Sequence, residues 1–559
     1  MDRIFRIFGK EYGSVNQAAL LLGFFAFLSQ ILALFRDRSI AHFIGLSPSL
    51  DAYYAAFRVP DLIFIGVASL ASITVLIPFL AVRMQGEQIT AEAKKYLNDI
   101  FTAFFLVMVI VSLLAFVLMP FLVSFIAPGF TPALQAKLIV LSRIMLLSPI
   151  LLGLSNLFGT VTQLFRKFFI YALSPIFYNI GIILGVVFFY PIFGIYGLGF
   201  GVVLGAFMHF AIQAISSKSC GFTPRFSFSV DLKDIKNAAL ISLPRTLGLA
   251  FNNFALIFIV ALASYLKGGS ISIFNLSFSL QSVPLNIIGV SYAVAAFPTL
   301  AKSVSLGKMD EFKNHLKSAA RAIIFWSLPV TFLFIVVRAQ IVRVILGSGN
   351  FSWDNTRLVA ASLAIFSVSV MAQGMIALLS RSYYALGDTK RPLVVNFSCS
   401  VLIIVLSYVF IYFFENMSFF RYFIESLLKV TDIPGTEVLM LPLAYSVGTI
   451  LNFVLHWFFV KKDFMPNESF ITKTFFQSLG ASFFLGLVAY LSLNMLSPVF
   501  GTTTFLGVFL QGFISGIFGI LAAILVLYLL KNEELKDITK VLHTKFWRAK
   551  IVSPAQEEL

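Results

Sequence analysis

Two cysteines, five histidines and 12% charged residues leave this 559-residue chain poor in the groups that build disulfides, metal sites and soluble surfaces. Cys220 and Cys399 have no ligand spacing around them, so neither a disulfide nor a structural metal site is expected. The histidines are scattered and make no cluster. No GxxxxGK[ST], GxSxG or HExxH stretch occurs, which removes the P-loop, the serine-hydrolase elbow and the zincin helix. No enzyme, metal or cofactor is therefore expected, and any transport is not driven by ATP bound to this chain.

What is present in excess is apolar. The chain is 59% hydrophobic and carries 65 phenylalanines in long runs. A bilayer core of about 30 Å takes roughly 20 apolar residues per helix, and by that measure the chain holds about 14 spans. An all-α polytopic membrane protein is the fold class expected. The stretch MDRIFRIFGKEYG puts Arg3, Arg6 and Lys10 ahead of an apolar run, as a signal peptide would. No small-residue cleavage site follows and the run is long enough to span, so a retained first helix is expected.

A net charge of +16 usually prompts a nucleic-acid reading. Its distribution favours another. The basic stretches near 83–95, 218–236, 302–321 and 461–473, and the tail after Lys531, fall on the same side of alternating spans as the N-terminus. Basic loops face the cytoplasm. Both termini are thus expected inside, the loop around Asp51 outside, and no nucleic acid is expected as a partner.

The chain also repeats itself. Val59-Pro60 then Pro78 is echoed by Val283-Pro284 then Pro298, IAPGFT at 126–131 by LGSGNFS at 346–352, and Pro175 to Asn179 by Pro392 to Asn396. The offsets are 224, 220 and 217 residues. Residues 1–225 and 226–465 are expected as two six-helix repeats in one orientation, with two added helices over 466–530 and a basic tail over 531–559.

Polar stripes mark what the first two helices of each repeat face. Arg58, Asp61, Ser69 and Ser72 fall on one side of a helix opened by Pro60. Asn16, Gly23 and Gln30 align on the first span, Arg245, Gly248 and Asn252 on the seventh, and Asn275, Ser279, Ser282 and Asn286 on the eighth, after which Pro284 repeats Pro60. Hydroxyl and amide groups in membranes are often glue between helices. Matched stripes with two arginines favour a water-filled cavity, and a cavity with arginines suits an anionic head group, phosphate above all. Arg58 and Arg245 lie near span ends, where snorkelling is the simpler account. Arg36 and Arg38 stand ready to close the end of the first helix against Asp37. Asp61 is the one candidate for coupling to a proton or cation.

FRDRSIAHFIG at 35–45, SLDAYYAAFRVPDLI at 49–63, PTLAKS at 298–303 and SYYALGDTKRP at 382–392 closely resemble the MurJ (MviN) family of lipid II flippases in the MOP superfamily. The similarity covers the first twelve spans. The resemblance implies alternating access, with a polyprenyl-diphosphate-linked peptidoglycan precursor carried from the inner to the outer leaflet of the bacterial cytoplasmic membrane. It also implies cell-wall synthesis machinery as a partner, and the chain is expected to act as a monomer. Arg36 and Asp37 match the family's Arg-Asp pair at the end of its first helix, Asp51 its loop aspartate, and Arg58 its basic residue ahead of the proline. The family usually has arginine at the positions of Gln30, Phe64 and Ser279, and Glu-Gly at Ser69-Leu70. Arg36, Arg58 and Arg245 are then the cations left for a diphosphate, with Asp37, Asp51, Pro60 and Pro284 structural or gating. Another lipid-linked glycan, a MATE-like small-molecule antiporter and a non-transporting envelope scaffold stay open as alternatives.

Overall fold

The computed structural model describes residues 15–68, 84–85, 88–165, 167–227, 236, 246, 253–465, 471–501 and 504–546, without the side chains at 15–20, 68, 84–85, 88–89 and 541–546. It is helical apart from a two-residue antiparallel ladder that pairs Met84 with Ile89 and Gln85 with Gln88. Ten helices among these residues are long and apolar enough to cross a bilayer. In chain order they are Ala91–Ile126, Pro132–Leu164, Phe168–Phe193, Ile195–Ser219, Ser270–Ser305, Met309–Val336, Lys390–Asn416, Thr436–Phe464, Thr472–Phe500 and Phe505–Leu529. Trp353–Val368 and Val370–Ala385, bent by 42°, make an eleventh if counted together. Val15–Ile44, Arg58–Ala68 and Asn253–Ala263 stand where three further spans are expected, which is compatible with about 14.

The exterior is apolar and the interior carries the polar groups. Phe116, Phe121 and Phe125 on one helix and Phe513, Leu521 and Leu525 on another are exposed. Ser155, Thr162, Ser174, Gln213, Ser277 and Ser362 are fully or almost fully buried. Each finds a partner: Gln213 Nε2 donates to Ser174 Oγ at 2.8 Å, and Ser277 Oγ and Ser362 Oγ lie 2.7 Å apart. In a bilayer no water waits outside to satisfy such groups, so they point inward and bond across helices.

Packing divides the described chain into two compact units, Met1–Val283 with Val342–Phe366 and Gly387–Asn452, and Pro284–Ile341 with Ser367–Leu386 and Phe453–Leu559. In the first, the Phe168–Leu184 and Ile195–Ser219 helices touch backbone to backbone. A Cβ on Gly181 would lie 2.2 Å from Gly205 Cα, a spacing that no side chain permits. Two further glycines of this unit are equated by the repeat. A Cβ on Gly129 would strike the backbone at Ser264, and one on Gly349 the backbone at His42. Gly129 N donates to Ser264 Oγ at 2.9 Å, and Asn350 N to His42 O at 3.0 Å. In the second unit, Phe312, Leu316, Ile323, Met375, Leu378 and Tyr383 form the core. A smaller cluster of Ala481, Leu485, Ala523 and Leu527 closes the last two long helices onto Phe325.

Proline shapes one long helix. Pro284 has no N–H to return to the carbonyl one turn back. The Ser270–Pro284 stretch widens directly after it into a π-turn over Leu285–Val290 before the Ser291–Ser305 helix resumes.

Candidate functional site

The sequence places charge at the end of one greasy helix and the start of the next, and the fold closes the two onto each other. The Val15–Ile44 helix ends beyond Arg36 and Asp37, the nine-residue Pro48–Ala56 helix turns the chain, and the Arg58–Ala68 helix leaves with Pro60 in its first turn. Proline is welcome there, since first-turn amides have no helical acceptor. Between these helices and the facing sides of Phe168–Leu184 and Ser270–Pro284 lies a cavity of about 230 Å³. Arg36, Asp37, Arg58, Asp61, Asn275 and Ser279 supply its charged and polar lining.

Each arginine is held by an asparagine. Asn179 spends its Nδ2 on the carbonyl of Pro175, one turn back, at 3.1 Å, and accepts from Arg36 Nη1 through Oδ1 at 3.0 Å. Asn275 repeats the arrangement: Nδ2 donates to Ile271 O at 2.7 Å, and Oδ1 accepts from Arg58 Nη2 at 2.6 Å. The two guanidiniums differ in what else they meet. Arg36 donates twice to Asp37 Oδ1, from Nε at 2.9 Å and Nη2 at 2.8 Å, while Asp37 Oδ2 accepts from Ser279 Oγ at 2.6 Å. Arg58 has no second hydrogen bond among the described residues. Its Nε is buried without a partner among the described residues, as is the hydroxyl of Tyr54, which lines the same cavity. Asp61, half-buried, adds a negative charge within electrostatic reach of Arg58 but makes no hydrogen bond among the described residues. Two cations and two carboxylates face one small space, and their charges balance.

The snorkelling account of Arg58 does not hold. The side chain is 8% exposed, because the first turn of its helix is covered by the neighbouring helices instead of reaching an interface. Arg38 reaches a distant helix end. It donates to the carbonyls of Val344 at 2.6 Å and Ile345 at 3.3 Å, which are free because the Arg338–Leu346 helix ends there. Asp51 is a clamp. Buried on the short Pro48–Ala56 helix, outside the spanning segments, it accepts from Gly269 N at 2.6 Å, Ser272 N at 2.7 Å and Ser272 Oγ at 2.6 Å, and so caps the start of the Ser270–Pro284 helix. Burial pushes its carboxyl up to about 6, against three hydrogen bonds that favour the ionised form.

Five of the residues expected on the pathway thus meet: Arg36, Arg58, Asp61, Asn275 and Ser279. Gln30 is half-buried off the cavity lining, Ser282 turns its hydroxyl to Ser279 O at 2.7 Å, and Asn286 is exposed. Pro60 and Pro284 are buried. Ser69, Ser72, Arg245, Asn252 and the side chain of Asn16 lie outside the described residues. The tyrosines at 53, 54 and 178 on the lining, and Asn179 behind it on Arg36, are site residues that the stripes do not point to. For Asn179 a signal existed, since it ends one of the repeated motifs.

Three comparisons bear on the chain. The family model described as lipid II flippase MurJ matches residues 40–511. A probable lipid II flippase MurJ of Rhizobium tropici is 27% identical over 375 residues, covering 65% of this chain and 70% of the relative. The lipid II flippase MurJ of Burkholderia cenocepacia is 23% identical over 497 residues, covering 86% and 90%. Among solved structures, a lipid II flippase MurJ in an inward closed conformation superposes with a TM-score of 0.71 at 22% identity, covering 93% of this chain and all of that one. An inward-facing MATE-family transporter of the MOP superfamily follows at 0.62 and 15%, covering 79% of this chain and 96% of that one.

Proposed function

The chain belongs to the lipid II flippase MurJ family, and from that membership and the cavity's chemistry we propose that it moves a polyprenyl-diphosphate-linked glycan, lipid II first, from the inner to the outer leaflet of the cytoplasmic membrane. It works by alternating access, as a transporter and not an enzyme, with both termini in the cytoplasm. The observation that carries this reading is the pair of arginines on one cavity, Arg36 locked to Asp37 and Arg58 with a buried Nε still to satisfy. A phosphate oxygen offers what that Nε lacks, and a bridging diphosphate spans two guanidiniums in the fork geometry arginine favours. Arg245 completes the set of cations on the path. A cationic small-molecule cargo is disfavoured, because each carboxylate of the cavity already faces an arginine.

About 230 Å³ suits a diphosphate and not the sugars attached to it, so the cavity widens when cargo enters. The two six-helix repeats, 1–225 and 226–465, supply the moving halves, with 466–530 and the tail from 531 added. Supporting the repeat, Gly129 and Gly349, 220 residues apart in sequence, each seat a turn against the end of a distant helix.

The test is complementation of a bacterium depleted of its own lipid II flippase, with protein levels followed in parallel. The wild-type chain should restore growth and Arg58→Ala should not. Arg58→Lys should restore it only in part, since an ammonium lacks the planar fork. Full rescue by an Arg36→Ala, Arg58→Ala, Arg245→Ala triple variant would remove the diphosphate from the reading.

A further inference from the structure

Away from the central cavity, the first turns of the Ala91–Ile126 helix and the 221–227 segment enclose a groove of about 570 Å³. Lys94, Lys95 and Arg225 line it together with Asn98 and Phe226, and no carboxylate does among the described residues. The segment is pinned to the helix. Arg225 N donates to Asn98 Oδ1 and Ser227 N to Thr102 Oγ1, both at 2.9 Å. Asn98 and Thr102 are one turn apart, so two residues of extended chain climb about 6 Å in step with four residues of helix. With that backbone fixed, all three basic side chains stay exposed, and none has a hydrogen bond or ion pair among the described residues.

Height along the helix says what such a groove meets. The apolar run of Ala91–Ile126 begins at Ile100, five residues beyond Lys95, or about 8 Å at 1.5 Å per residue. The headgroup layer outside the hydrocarbon is about that thick. On the hydrocarbon side of the cations, Phe226 is 53% exposed and lies 5.5 Å from the Phe101 ring and 5.4 Å from Phe105. Free cations at headgroup depth with an aromatic flank below match a lipid, phosphate at one end and acyl chain at the other. A second concavity shows that this is not a general property of the basic surface. There Lys317 and Arg321 share the lining with Glu533, Glu534 and Asp537, and Arg321 pairs with Glu533 at 3.5 Å.

We propose that the groove of Lys94, Lys95 and Arg225 binds the phosphate of a lipid headgroup, in the leaflet that the basic 83–95 and 218–236 connectors face. The proposal stands without the cargo assigned above. The test uses the full chain in detergent micelles, with lipid binding measured by native mass spectrometry. The probes are phosphatidylglycerol, undecaprenyl diphosphate, phosphatidylcholine and inorganic pyrophosphate. Lys94→Gln, Lys95→Gln, Arg225→Gln should weaken binding of at least one of the first two lipids about tenfold or more, the scale of lost charge-assisted bonds, with no change in melting temperature. Weakening confined to phosphatidylglycerol marks a resident phospholipid. Weakening confined to undecaprenyl diphosphate marks the approach of the cargo. Lys302→Gln, Lys308→Gln, Lys313→Gln, an equal loss of charge elsewhere, should leave both within twofold. Unchanged binding in the groove variant, an equal fall in the control, or phosphatidylcholine held as tightly as the acidic lipids would overturn the proposal. So would displacement of both lipids by equimolar inorganic pyrophosphate, which would make the groove a site for free phosphate.

Discussion

The central cavity and the basic groove both present arginine, yet they are built on opposite rules. In the cavity each cation has a carboxylate within reach and an asparagine on its guanidinium, and the charges cancel. In the groove three cations stand with no counter-charge on the lining among the described residues. Burial accounts for the difference. An uncompensated ion taken out of water costs several kcal/mol, whereas one in contact with water costs little. A balanced centre holds an anion weakly and lets it go, as a transport site must, because the anion has to displace a carboxylate from its partner. An unbalanced rim holds an anion at rest.

The comparison breaks most completely if the frame of the balanced centre is removed. Asp51 ties the Pro48–Ala56 turn to the start of the Ser270–Pro284 helix through three hydrogen bonds, and that helix carries Asn275 and Ser279 into the cavity. Asp51→Ala leaves buried donors unmet at about 1–3 kcal/mol each, so the melting temperature should fall by several degrees and transport should be lost. The raised carboxyl gives the sign of the pH effect. The fold prefers the protonated form, so this contribution is complete below 3.8, the unfolded value, and is lost as pH rises through about 6. In Asp51→Asn the melting temperature should be flatter over that window than in the wild type. An unchanged melting temperature in Asp51→Ala would mean that the clamp does not hold the centre together.

A smaller change should make the centre behave like the rim. Asp61 gives the cavity its second negative charge without a hydrogen bond of its own among the described residues, so Asp61→Asn removes charge and spares the packing. The cavity then carries one net positive charge beside Arg58. Binding of undecaprenyl diphosphate should tighten by about tenfold, on the scale of one partly screened charge interaction, and turnover should slow because release is now opposed. Weaker binding in that variant would show that Asp61 positions Arg58 for the cargo instead of opposing it.

How much of this was legible depends on what each residue stands out against. Arg36, Asp37, Arg58, Asp61 and Ser279 are visible in sequence because charge and hydroxyl groups are rare in apolar helices, and helical spacing puts them on shared faces. The tyrosines at 53, 54 and 178 are not, since aromatic residues make up 16% of the chain and three more carry no contrast. Arg38 could not be read either. It donates to the backbone carbonyls of Val344 and Ile345, and a helix end more than 300 residues away leaves no mark in side-chain pattern. Arg58 misled for a related reason: a position at a span end predicts an interface only when nothing packs over it, and here the Ser270–Pro284 helix supplies Asn275. The groove was hidden by a reading that was already sufficient. Lys94, Lys95 and Arg225 belong to stretches that the positive-inside rule explains without asking what the cations meet.

The smallest effect is also the one that separates the two regions without a mutation. Salt shortens the reach of charge from about 10 Å at 0.1 M to about 3 Å at 1 M, and it acts on groups that ions can approach. Lys94, Lys95 and Arg225 are exposed and Arg58 is buried. Raising sodium chloride from 0.1 M to 0.5 M should therefore weaken phosphatidylglycerol binding at the groove a few-fold. The same salt should scarcely change the fraction of undecaprenyl diphosphate that depends on Arg58, read as the difference between wild type and Arg58→Ala. Sodium sulfate at equal ionic strength should give the same groove response if screening is the cause, and a larger one if the divalent anion competes for the site. Equal salt dependence of the groove and of the Arg58-dependent fraction would put both sets of cations in the same solvent environment, and the contrast between a balanced centre and an open rim would fail.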